Sequence, residues 1–184
     1  MDKSEFYTTF APLLKEDHIN NHLKTYEFRH CGMEGLTGRM AHIYSILPKG
    51  EDFTLLEQFF EDIQPYEKES ATIIEKLTTM GNETGCRRGF FKHYEGALGD
   101  GVAALSVGCI RLYCLYFDKT AVFFGSGGYK PPEAHAYQEV PELDEKAQQM
   151  REIAKKINDA IIEKDIVIED DGSLTINYWD NESD

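Results

Sequence analysis

Between Gly89 and Lys130 the chain has little freedom of topology. Three runs of strand-forming residues, Gly101–Val107, Ile110–Phe117 and Ala121–Gly125, follow one another almost without interruption. The connections, around Gly108-Cys109 and through Asp118-Lys119-Thr120, are too short to join anything but antiparallel neighbours. A three-stranded meander is therefore the element around which the rest of the chain must pack. Its middle strand carries an arginine, Arg111, among apolar and aromatic residues.

The flanking segments read as helices and short strands. Ala41–Leu47 is a strand candidate ended by Pro48-Lys49-Gly50. Thr54-x-x-Glu57 is a capping box that opens a helix with Leu55, Leu56, Phe59, Phe60 and Ile63 on one stripe. Pro65 ends it, and a second helix places Tyr66, Ser70, Ile73, Ile74, Leu77 and Met80 on one face, with Gly81 fitting the position just past its end. Leu143, Ala147, Met150, Ala154, Ile157 and Ile161 step by four and three residues, which predicts a helix over 143–163. Ile166–Ile168 and Leu174–Tyr178 around Asp171-Gly172 read as a hairpin with a type I′ turn. Nearer the start, Phe6, Phe10, Leu13 and Leu14 suit a short helix, and residues 31–40 read as a linker.

The expected fold is α+β: a helical hairpin packed on an antiparallel meander sheet. Residues 1–41 form an N-terminal extension, 42–140 the α+β core, and 141–184 a C-terminal helix with an acidic β-hairpin. An apolar fraction of 41%, with 11 Phe and 10 Tyr, is enough for a packed core in a chain of 184 residues. No apolar run approaches the roughly 18 residues of a membrane helix. The start lacks a basic segment followed by an apolar one, so the expectation is a cytoplasmic protein with no membrane partner. Four cysteines without a C-x-x-C spacing read as buried reduced thiols. His18 and His22 are four apart but lack a third ligand nearby, and a solvated face explains them.

The net charge is −14, unevenly spread. Residues 131–184 hold 15 acidic and 5 basic side chains, whereas residues 67–130 hold 7 and 8. An acidic chain disfavours autonomous nucleic-acid binding, since phosphate neutralisation supplies most of the non-specific affinity. The middle third escapes that objection. There, Cys86 to Tyr94 brings Arg87, Arg88, Lys92, His93 and Tyr94 together, suited to phosphate contact and base stacking and equally to plain solvated charge. Strand alternation puts Arg111 beside Tyr113, expected on the exposed or groove-facing side of the meander, opposite Ile110, Leu112 and Cys114, the face on which the helices of 53–64 and 66–80 are expected to pack. Either an ion pair to Asp100 or Glu95 compensates Arg111, or the face is an anion site. Gly125-Ser-Gly-Gly-Tyr-Lys130 lacks the Lys-Ser/Thr ending of a phosphate loop, and Pro131-Pro132 prevents a following helix, so it is no nucleotide site.

The order strand, helix, helix, meander with a central-strand arginine resembles the RelE/HigB/ParE toxins over roughly residues 42–163. The run from Gly89 to Lys130, with Arg111-Leu-Tyr-Cys114 and the Gly-rich strand exit before Lys130, is particularly similar to HigB-like members. The resemblance implies a toxin of a type II toxin–antitoxin system. Its activity would be ribosome-dependent mRNA endonuclease chemistry without metal or cofactor, in which the RNA 2′-hydroxyl attacks the adjacent phosphate. It implies mRNA on the ribosome and a helix-turn-helix antitoxin as partners, with a homo-oligomer left open. The resemblance places catalytic roles on Arg111, Lys92 and Lys130; Tyr113 and His93 are the further catalytic candidates if the site has moved, and Arg87, Arg88 and Tyr94 the candidates for RNA contact. The alternative is a catalytically silent relative that acts through protein contact.

Overall fold

The computed structural model describes residues 26–30, 38–93 and 101–177. Its centre is a six-stranded mixed sheet. The strands are β1 (Tyr26–His30), β2 (His42–Pro48), β3 (Phe91–Lys92), β4 (Ala103–Val107), β5 (Ile110–Phe117) and β6 (Ala121–Tyr129). They lie in the order β1-β2-β6-β5-β4-β3, with β2 parallel to β6 and all other pairs antiparallel. The expected meander is β4-β5-β6, and the strand near residue 44 joins it through β6. The sheet as a whole is mixed rather than antiparallel.

Among the described residues three α-helices cover the sheet: α1 (Leu55–Asp62), α2 (Glu67–Thr79) and α3 (Pro141–Ile162). At the start of α1 the capping box is complete. Thr54 Oγ1 accepts from the Glu57 amide, and the Glu57 carboxylate accepts from the Thr54 amide at 2.6 Å. Such a cap contributes about 1 kcal/mol. The α1 and α2 stripes bury Leu56, Phe59, Phe60, Ile63, Ile73 and Leu77 on the face formed by Ile110, Leu112 and Cys114, whereas Leu55 of the expected α1 stripe belongs to the cluster on the opposite face. The end of α2 differs from expectation. Instead of stopping at Gly81, the backbone widens into a π-turn over Met80–Thr84, and Gly85, with φ 69°, terminates it.

The opposite face is where the largest correction lies. The predicted 143–163 helix exists as α3, and its stripe of Leu143, Ala147, Met150, Ile153, Ala154 and Ile157 packs on Tyr113, Leu115, Phe123 and Tyr44. The sheet is thus sandwiched, with α1 and α2 on one side and α3 on the other. The face carrying Arg111 and Tyr113 is neither exposed nor a groove. Glycine makes the close approach of α3 feasible: a Cβ on Gly125 would stand 2.6 Å from Met150 Sδ. The Gly-rich segment is accordingly strand rather than strand exit, with a bulge where the β5–β6 register shifts between Leu112 and Cys114.

β7 (Ile166–Ile168) and β8 (Leu174–Ile176) form a separate two-stranded sheet, so the hairpin does not extend an edge of the main one. It rests on the β5–β6 turn, where a Cβ on Gly172 would stand 1.8 Å from Thr120 O, and the Tyr44 hydroxyl of β2 donates to Gly172 O at 2.9 Å. Its turn is not type I′, which would need positive φ at both central residues. Gly172 alone of that turn is left-handed, at φ 88°, and its amide donates to Glu169 O. The predictions for Phe6–Leu14, His18, His22, Cys31, Tyr94, Glu95 and Asp100 lie outside the described residues.

Candidate functional site

The predicted site residues fall at two ends of β5, five residues apart from Arg111 to Tyr116, or about 17 Å at strand rise. At the first end Arg111 is 6% exposed, and its guanidinium donates to Gly108 O at 2.8 Å and Ile110 O at 3.1 Å. The charge is spent tying down the β4–β5 turn. Tyr113 is wholly buried, its ring edge-on to Tyr137 at 5.9 Å. Tyr137 in turn accepts from Arg151 of α3, whose guanidinium also lies over the Tyr137 ring. Lys130 follows β6. Its amide donates to Cys109 O at 2.7 Å and its ammonium reaches His135 O at 3.4 Å. A substrate phosphate has no path to Tyr113 through that packing.

The second end is built differently. Gly85 turns the chain out of the π-turn, and the Cys86 amide donates to Lys119 O at 2.8 Å, fastening the segment to the β5–β6 turn. A 3-10 turn over Arg88–Phe90 then leads into β3. Phe91 enters the core and stacks on Tyr116 at 4.4 Å, with ring planes 15° apart. Alternation makes Lys92 exposed and points it to the face opposite Phe91, beside Ala104. His93 returns to the Phe91 side, and its Nε2 lies 2.5 Å from the Tyr116 hydroxyl. Which of the two donates is set by the imidazole tautomer. Arg87 and Arg88 are solvent-exposed on the same rim.

The electrostatics of this rim separate the two titratable groups. Burial, and after it the Arg88 charge, push the His93 imidazole below its ordinary value. Burial raises the Tyr116 phenol, against an opposing pull from Arg88. At neutral pH the pair is therefore a neutral imidazole and an intact phenol, a proton acceptor and a proton donor in hydrogen-bond contact. Arg88 supplies a cation close enough to act on both. Thus Arg88 and His93 are brought together with Tyr116, with Arg87 exposed next to Arg88 in the chain, whereas Lys92 lies on the other face and Arg111, Tyr113 and Lys130 belong to the far end.

Tyr116 is the residue that sequence reasoning missed. Alternation assigned it to the Ile110 face, yet nothing local links it to His93, 23 positions away, so only β3 pairing with β4 brings them together. A signal for the burial of Tyr113 was present in Ile110–Phe117 itself. Seven of its eight residues are apolar, aromatic or cysteine, the pattern of a strand covered on both faces. Comparison with protein-family models, with curated protein sequences and with solved structures found no match.

Proposed function

We propose that the chain is a toxin-type RNA endonuclease of the RelE/HigB kind, with its chemistry moved to the Arg88–His93–Tyr116 rim. The observation that carries this reading is the His93–Tyr116 pair, 2.5 Å apart beside an exposed arginine. In the proposed reaction His93 accepts the proton of an RNA 2′-hydroxyl as that oxygen attacks the adjacent phosphorus. The P–O5′ bond breaks, giving a 2′,3′-cyclic phosphate. Tyr116 gives its proton to the departing 5′-oxygen and recovers one from the imidazolium, so the proton count closes. Arg88 offsets the charge that grows on the phosphoryl oxygens, and Arg87 holds a neighbouring phosphate. Phe90, half-buried on the same segment, offers a base-stacking surface.

The second reading is a silent relative that works by protein contact. The burial of Arg111, to which the resemblance assigns catalysis, and of Tyr113, its expected neighbour in the site, favours it, as does the −14 charge. Induced expression with mapping of mRNA 5′ ends separates the two. The endonuclease reading expects growth arrest and new 5′-hydroxyl ends within translated messages, both abolished by Arg88→Ala or His93→Gln. Arrest without new ends, or arrest undiminished in both variants, would transfer the conclusion to the silent reading.

A further inference from the structure

A cleft of about 800 Å³ opens at the other end of the sheet, between α1 and α3 and beside the outer edge of β6. Its floor is unusual for a central strand. β2 pairs with β6 only from Ala121 to Phe124, while β6 continues to Tyr129. Among the described residues no strand pairs with that outer edge beyond Phe124. Two aromatic rings flank it, Tyr66 and Tyr129, stacked at 5.0 Å with planes 9° apart. Asp62, Glu142 and Glu145 line the cleft, against one cation, Lys146.

One further observation points to an occupant. The Lys146 ammonium lies in the cleft, paired with Asp62 at 2.9 Å and donating to the strand-edge carbonyl of Gly127 at 2.8 Å. The chain's own cation thus demonstrates the chemistry the cleft accommodates. Ser126, only 4% exposed, also lines the cleft.

We infer that this cleft binds an extended, arginine-bearing segment of a partner protein, laid along the outer edge of β6 beyond Phe124 as an added strand. Backbone groups beyond Phe124 would pair with the segment where β2 stops. A planar guanidinium suits the site better than an ammonium, because it stacks on a tyrosine face while forking onto a carboxylate. The acidic lining supplies charge complementarity and disfavours nucleic acid here. The cleft lies at the Tyr129 end of the meander, remote from Tyr116, so the inference stands apart from the RNA reading.

The test uses the full chain, isotopically labelled, titrated with N-acetylarginine methylamide, its lysine counterpart, and the tripeptide acetyl-Val-Arg-Val-amide with its lysine analogue. We expect saturable NMR shifts centred on Ser126–Tyr129 and Tyr66, with the tripeptide about tenfold tighter than the single residue, as added strand pairing requires. Lysine analogues should bind at least fivefold more weakly. Asp62→Asn combined with Glu145→Gln should lower affinity at least tenfold, with dispersed spectra showing that the fold persists. A tripeptide no tighter than the single residue overturns strand addition. Equal binding of the lysine analogues overturns guanidinium recognition. Shifts centred elsewhere, or no saturable shifts, overturn the site itself.

Discussion

The two ends of β5 carry similar chemistry in sequence and opposite roles in structure. At each end an arginine lies near a tyrosine. Arg111 is buried and bonded to two backbone carbonyls, and Tyr113 is sealed beneath α3. Arg88 is in solvent, and Tyr116 contacts an imidazole whose pKa is depressed. A cation that already satisfies buried carbonyls has little left for a ligand, while one held in solvent beside a proton-transfer pair can act on a phosphate. Residue type alone does not separate these cases. The packing of α3 on one face does.

The contrast should be sharpest in stability. A Cβ on Gly127, at the Arg111 end, would lie 1.9 Å from Arg111 O, whereas nothing stands within 4 Å of one on Gly89. Gly127→Ala should therefore cost on the order of 4 kcal/mol or prevent folding, and Gly89→Ala should stay within about 0.5 kcal/mol. Urea denaturation reads both. Equal costs would erase the distinction between a packed end and an open one.

The arginines come next. Arg111→Met leaves Gly108 O and Ile110 O without their side-chain donor and should destabilise by about 2–3 kcal/mol. Arg88→Ala should leave stability within about 0.5 kcal/mol, since it removes only exposed surface. Denaturant midpoints compare the two directly. If Arg88→Ala proved the more destabilising, Arg88 would be the structural arginine and the assignment would reverse.

A smaller effect concerns pH. The His93 pKa is lowered in the folded state, so the unfolded chain binds more protons as pH falls below the ordinary histidine value of about 6.5. The stability linked to His93 is thus fully present above that value and is lost as pH falls through the folded pKa. His93→Gln should flatten stability against pH in that window. A profile unchanged by the substitution would mean that the imidazole environment is not perturbed.

How far the sequence revealed this arrangement depends on the range of the signal. The capping box at Thr54, the stripes of α1 and α2 and the limits of β5 are written in spacings of two to four residues, and the structure reproduces them. The pairing of the 143–163 stripe with the Tyr113 face is not local. Periodicity shows that a helix has an apolar face without saying which sheet face receives it. Removing α3 to lessen the acidic charge would accordingly expose Tyr113 and Phe123 rather than uncover a binding surface. The His93–Tyr116 contact was hidden for the same reason. Arg87, Arg88 and His93 were legible because one short segment carries all three.

The most direct test is to map where RNA touches the protein. An isotopically labelled chain is titrated at low salt with a short single-stranded RNA whose ribose at the cleavable step is 2′-deoxy, so that binding proceeds without reaction. The account predicts that shifts concentrate at Arg87, Arg88, His93 and Tyr116, fade as salt rises, and disappear in Arg88→Ala. Shifts centred on Cys109–Tyr113 and Lys130, or no saturable shift at any salt concentration, would contradict it.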